Sequence, residues 1–139
     1  RDAYAALNAE LAADPVVVAV AAGVTLDHPV HVVHVTTPAA GGPDAFCSRM
    51  RIDLGEASSA TVVERHVGVG DGVGGANPRT TVVLAPEATL EQVVVHDLPD
   101  QQILLWRTDV HQAERSRFLA ASSIPMKSSL SARADVSCA

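Results

Sequence analysis

The stretch Met50-Arg-Ile-Asp-Leu-Gly-Glu-Ala-Ser-Ser-Ala-Thr-Val-Val-Glu-Arg-His-Val67 reads as strand, tight turn, strand. Its flanks are rich in Val, Ile and Thr, residues stiff at χ1 that suit a pleated strand. Gly55-Glu56-Ala57-Ser58 between them has turn composition. The same construction recurs in Val16–Val35, Thr80–Val95 and Ile103–Ala121. The segments Val20–Leu26, Leu54–Ala60, Leu84–Leu90 and His111–Phe118 can be laid on one another. With Leu26, Ala60, Leu90 and Phe118 as anchors, the pattern returns every roughly 30 residues and shortens slightly from one unit to the next. A quasi-period of that size belongs to a chain that stacks similar units instead of wrapping one core. The sequence therefore predicts a mainly β solenoid, a fold that usually works through its surfaces.

Composition narrows the functional classes. The 139 residues are enough for one domain with a real core. Aromatic residues make up only 3%, so that core must be built of thin, β-branched layers. A net charge of −6 opposes nucleic-acid binding, which needs clustered Lys and Arg. Arg49 and Arg51 lie close together, as do Arg115 and Arg117, but acidic residues surround both pairs, as on solvated strand edges. Cys47 and Cys138 show no metal-type spacing. No apolar run approaches the roughly 20 residues of a membrane span. Arg1-Asp-Ala-Tyr4 lacks the apolar region of a signal peptide, so a cytoplasmic location is expected.

Residues 1–14 are expected to form a capping helix and residues 15–139 a β-helical core. Tyr4, Leu7 and Leu11 fall at helical spacing, and Asp14-Pro15 stops the run. Such a helix would cover the first rung, whose apolar ends and backbone groups are otherwise open. The first strand pair is read as Val16–Val20 and Val24–Val35. Loops are expected over Thr36–Asp44 and Gly68–Asn77, and Ser122–Ser131 interrupts the pattern before a last strand near Arg133–Cys138. Starting at Arg1 and stopping in mid-pattern at Ala139, the chain reads as a piece of a longer protein. Its open C-terminal rung is expected to drive self-association or to leave the segment marginally stable.

Motifs that could carry chemistry weaken on inspection. Gly70-Asp-Gly-Val-Gly-Gly75 matches the dinucleotide fingerprint GxGxxG, but that site needs a helix directly after it. Here Thr80–Leu84 reads as a strand. No Walker A sequence is present, so ATP hydrolysis is not expected. His28, His31 and His34 lie in a Val-rich run where side chains alternate faces. His31 would then point away from the other two, which would be about 20 Å apart at roughly 3.3 Å per residue. These histidines are read as structural or surface residues. Cys138 has no adjacent cation to activate it, and Cys47 is read as a loop residue. Asp109 and His111 could be combined with Ser122, Ser123, Ser128, Ser129 or Ser131 on paper, but no GxSxG elbow supports a triad.

Four segments in order resemble the core of the SufB/SufD family, the scaffold subunits of the SUF iron–sulfur cluster assembly system. The first comprises Ala6-Leu-Asn-Ala9, Val16-Val-Val-Ala-Val-Ala-Ala-Gly-Val24 and His28-Pro-Val-His-Val-Val-His-Val35. The second is Leu54-Gly-Glu-Ala-Ser-Ser-Ala-Thr-Val-Val-Glu-Arg-His-Val67, which follows the family's acidic-Gly turn and strand. The third is Ala88-Thr-Leu-Glu-Gln-Val-Val-Val95, and the fourth Val110-His-Gln-Ala-Glu-Arg-Ser-Arg-Phe118. His28-Pro29-Val30-His31 and Ala60–Glu64 look more like SufD than SufB. The resemblance implies a right-handed parallel β-helix and a non-catalytic scaffold that works with SufB and with the SufC ATPase. It assigns no catalytic, cofactor-binding or metal-ligating residue to this segment, because the family's cluster-associated residues lie farther along. The cluster would be assembled by the full complex and not held here.

The chain departs from the family at Ala21, where Pro is usual, at Pro15, where Gly is usual, and at Lys127-Ser128-Ser129, which replaces a Gly-Gly turn. The stretch from Ala120 to Ala139 matches poorly. Two rival readings stand beside the scaffold. One is a β-helix acting on or binding polysaccharide, which one Trp, one Tyr and two Phe disfavour. The other is a small His/Cys metal-binding module.

Overall fold

Val16, Met50, Thr80 and Thr108 stand beside one another in four neighbouring parallel strands. The intervals between them along the chain equal those between Leu26, Ala60, Leu90 and Phe118, so the sequence repeat is the coil of the fold. The computed structural model describes residues 3–37, 44–70, 72–99, 102–123, 131–132 and 135–138. It is a parallel β-solenoid of about three turns with one short helix at its head. One sheet contains β1 (Val16–Val20), β3 (Asp44–Leu54), β5 (Gly74–Leu84), β7 (Gln102–Gln112) and β10 (Asp135–Cys138), in that order. The short β9 (Ser131–Ala132) also pairs with β7. The facing sheet runs β2 (Val30–Thr36), β4 (Ser59–Gly68), β6 (Thr89–Asp97), β8 (Arg117–Ser123).

The turns that gave the repeat its signature stack on one corner. Gly23, Ala57, Glu87 and Arg115 occupy equivalent places in successive turns, with φ of 72°, 53°, 62° and 57°. Each turn is closed by a backbone hydrogen bond, such as Ser58 N to Gly55 O and Ala88 N to Ala85 O, both 3.2 Å. Successive corners are also tied to each other. Gly23 N donates to Glu56 O, Ala57 N to Pro86 O and Glu87 N to Glu114 O, at 2.8 to 3.0 Å. At Gly55 the turns approach closely: a Cβ there would lie 2.5 Å from Ala22 N and 2.8 Å from Ala22 Cα.

Strand alternation sends one residue in two inward. Ile52, Leu54, Val62, Val82, Leu84, Leu90 and Val110 fill the core next to the corner, all almost completely buried. Each such side chain contributes about 1.5–3 kcal/mol relative to exposure. Ala76, Val94, Leu104 and Trp106 form a second apolar cluster.

Several boundaries differ from the sequence reading. The expected strand Val24–Val35 is broken: Thr25 makes only an isolated bridge to Ser59, and β2 starts at Val30. Between the pairings Thr25 with Ser59 and Val30 with Val62, the offset of one turn from the next falls by two, and Asp27–Pro29 takes up the difference. Because that difference is even, the faces of the following residues are unchanged. β3 begins at Asp44 and β5 at Gly74, so Cys47 is a strand residue and part of the expected Gly-rich loop is strand. The last strand is in register with Asp109–Gln112 of β7. The centres of the expected loops at Thr36–Asp44 and Ser122–Ser131, and with them Lys127, Ser128 and Ser129, lie outside the described residues.

The helix α1 (Ala3–Leu11) holds on differently from expectation. Tyr4, Leu7 and Leu11 are exposed, whereas Asn8 is fully buried. Asn8 donates from Nδ2 to Ser48 O at 3.2 Å and to Asn77 O at 2.6 Å, and accepts from Arg49 Nε at 2.9 Å. Asn77 Nδ2 donates in return to Tyr4 O. The β5–β7 ladder is interrupted at Asn77 and Pro78, and Pro has no N–H to give. Asn8 supplies donors where the ladder lapses, fastening α1 to β3 and β5.

Candidate functional site

Along β4 the inward positions change from Ala60 and Val62 to Glu64 and His66, all nearly inaccessible to solvent. A carboxylate inside a solenoid must be satisfied locally, since burying it unpaired is very costly. Thr80, on the facing sheet, places its hydroxyl 3.1 and 3.0 Å from the two Glu64 oxygens. Gln92, one turn on, donates from Nε2 to Glu64 Oε2 at 2.9 Å. Two imidazoles approach the other oxygen: His34 Nε2 lies 3.4 Å and His66 Nε2 3.2 Å from Oε1. Both contacts are at ion-pair distance, but neither Nε2 makes a well-aligned hydrogen bond among the described residues.

The sheet register builds a ladder from these rings. His34, His66 and His96 occupy one position in β2, β4 and β6. The first two rings are stacked with centroids 4.7 Å apart and 10° between planes; the second and third are 5.3 Å apart at 19°. Trp106 closes the row with its ring 5.5 Å from His96 in an edge contact. Burial would raise the Glu64 carboxyl, but the His34 and His66 imidazoles more than offset it and hold it well below the usual carboxylate range. His96 moves to about 4, first because burial penalises its charged form, then because His66 repels it; Glu64 opposes both.

His34, Glu64 and His66 each present one ligand-type atom, and the three atoms lie within 4.8 Å of one another. A cavity of about 190 Å³ opens beside them, walled by Phe46, Ser48, Ala76 and Pro78 with His34 and His66. Cys47 also borders it, but alternation turns its thiol to the side of Asn77, and burial pushes that thiol's pKa up despite Arg49 and Asn77.

The other sequence candidates do not converge. His28 lies in the bend before β2 and His31 is exposed, so neither joins His34. Asp109 is taken by Arg79 and Arg107, both at 2.8 Å, and His111 is exposed, so no triad forms with the described serines. The glycines of the GxGxxG match lead into β5 and not a helix. A second depression of about 240 Å³ is bordered by Arg49, Arg51 and Arg79. Those cations are committed to Asn8, Asp53 and Asp109. Among the described residues no helix is long and apolar enough to cross a membrane.

The ladder itself escaped the sequence reading. The offset that lays Ala60 on Leu90 also lays His66 on His96, and the shortened offset that follows Pro29 lays His34 on His66. Compared with protein-family models, with curated proteins and with solved structures, the chain finds no match in any of the three.

Proposed function

We propose that this chain is part of a SufD-like, non-catalytic scaffold for iron–sulfur cluster assembly, acting in the cytoplasm with SufB and SufC homologues. The observation that carries the reading is where the resembling segments fall. Val16–Val24, Leu54–Val67, Ala88–Val95 and Val110–Phe118 each lie at or beside the stacked corner of a successive turn. A resemblance confined to one repeat could reflect only the composition of β-branched strands; four, in order and at the same place in each turn, support common descent. A stack of parallel coils with broad sheet faces suits a protein that works by holding partners.

Pull-down of the parent gene product and of this segment against SufB and SufC from the same genome tests it. Capture of either partner by the parent supports the reading, with loss in the segment placing the contacts beyond Ala139. Failure of the parent to capture either partner overturns it. Sedimentation of the segment over a dilution series tests the expected self-association, which a dilution-resistant monomer would contradict.

A further inference from the structure

We propose that His34, Glu64 and His66 form a binding site for one divalent first-row transition-metal ion of the zinc class. This stands independently of the scaffold reading, since it uses only groups inside the first three turns.

The donor set is two imidazole nitrogens and one carboxylate oxygen, a combination that suits Zn²⁺ and its neighbours and not the all-oxygen shells of Ca²⁺ or Mg²⁺. Ligand bonds of about 2.1 Å put neighbouring donors about 3.0–3.4 Å apart, depending on whether the angle between them is octahedral or tetrahedral. The observed separations from Glu64 Oε1 are 3.4 Å to His34 Nε2 and 3.2 Å to His66 Nε2. Those two separations suit a common centre, and the third, between the two nitrogens, is within 4.8 Å.

A purely structural role accounts poorly for the nitrogens. Buried polar atoms are nearly always hydrogen-bonded, yet His34 Nε2 and His66 Nε2 reach only Glu64 Oε1, at 3.4 and 3.2 Å, and make no well-aligned hydrogen bond among the described residues. Coordination would use both lone pairs at once. Glu64 is also braced as a ligand should be: Gln92 holds Oε2, and Thr80 reaches both oxygens, leaving Oε1 towards the imidazoles. Outer contacts of this kind orient metal-binding carboxylates. The adjoining cavity provides a way in and room for a further ligand from solution. Because the two rings are only 10° from parallel, they must cant towards each other to share the ion.

The test is titration of the whole chain, first stripped with a chelator, with Zn²⁺ by calorimetry and with Co²⁺ by visible absorption. One saturable equivalent per chain is expected, with a nitrogen- and oxygen-ligated Co²⁺ spectrum lacking thiolate charge transfer. Glu64→Gln and His66→Gln should each weaken binding at least about tenfold, the lower end of what even an outer-shell change costs. Should either variant fail to fold, His34→Gln, at the most accessible member, must give the same loss. Absence of saturable binding overturns the proposal. So does binding that survives His34→Gln and disappears in a His28→Gln/His31→Gln double variant, which would put the ion on the surface.

Discussion

Gln92 Nε2 donates to Glu64 Oε2 at 2.9 Å across one rung, joining the only fully buried carboxylate among the described residues to the next turn. Hydrogen bonds to a buried charge contribute about 1.5–3 kcal/mol, and the loss is felt because the charge stays behind. Gln92→Leu, close in volume, should therefore lower unfolding free energy in metal-free buffer by about that amount, measured by urea denaturation. An unchanged midpoint would mean that Glu64 is satisfied without it.

The stability of the metal-free chain should fall on mild acidification. His96 titrates near 6.5 when unfolded and near 4 when folded, so between those values the unfolded chain binds the extra proton. Stability is therefore fully present above pH 6.5 and is lost as pH drops towards 4. The charged groups facing His96 are Glu64 and, when protonated, His66. Denaturation midpoints at pH 7, 6, 5 and 4 should decline steadily, and His96→Gln should flatten most of that decline. Asp109 adds a later loss: burial raises its pKa but Arg107 and Arg79 lower it further, so its contribution goes only below the ordinary carboxylate range.

Gly55 and Ala57 sit in the same turn and should respond in opposite directions. A Cβ on Gly55 meets backbone atoms of Ala22, which cannot step aside as a side chain can. Gly55→Ala should cost about 1–3 kcal/mol. Ala57 holds a φ of 53°, where an L residue is strained and Gly is not. Ala57→Gly should gain up to about 1 kcal/mol after its added unfolded-state entropy. Thermal melts of both variants check the pair.

Zinc should stabilise the folded chain in proportion to its occupancy. At a free concentration a hundred times Kd the gain is about 2.7 kcal/mol if the unfolded chain does not bind. A melt in Zn²⁺ should shift upward and return on adding chelator, and Glu64→Gln should remove the shift while His31→Gln leaves it.

The solenoid was legible because its two signals are local: β-branched runs and small turn residues, repeated. Leu26, Ala60, Leu90 and Phe118, chosen only for pattern, are true neighbours across rungs or, for Leu26, adjoin the Thr25–Ser59 bridge. The interruption at Asp27–Pro29 was not legible, because an insertion of even length leaves the alternation of Val30, Val32 and His34 intact. The site was hidden for a different reason. His28, His31 and His34 are neighbours in sequence, but in a stacked fold chemical neighbours are a whole turn away. Alternation correctly separated His34 from His31, and it says nothing about Glu64 or His66. For α1 the misleading cue was Tyr4, Leu7 and Leu11, whose spacing implied an apolar contact; the anchoring residue is polar, and it answers a gap in another ladder that no local pattern reveals.

The stacked corner at Gly23, Ala57, Glu87 and Arg115 has a further consequence for how such a chain can grow. Turn lengths vary, yet each of the four described corners passes through one left-handed position, and the first three hand a backbone hydrogen bond to the next. The interchangeable module is thus the interval from one corner to the next, with its length set by Asp27–Pro29 in the first turn and by the loops between the sheets. A tandem copy of residues 58–87 inserted at its own end should extend the stack by one coil with every face preserved.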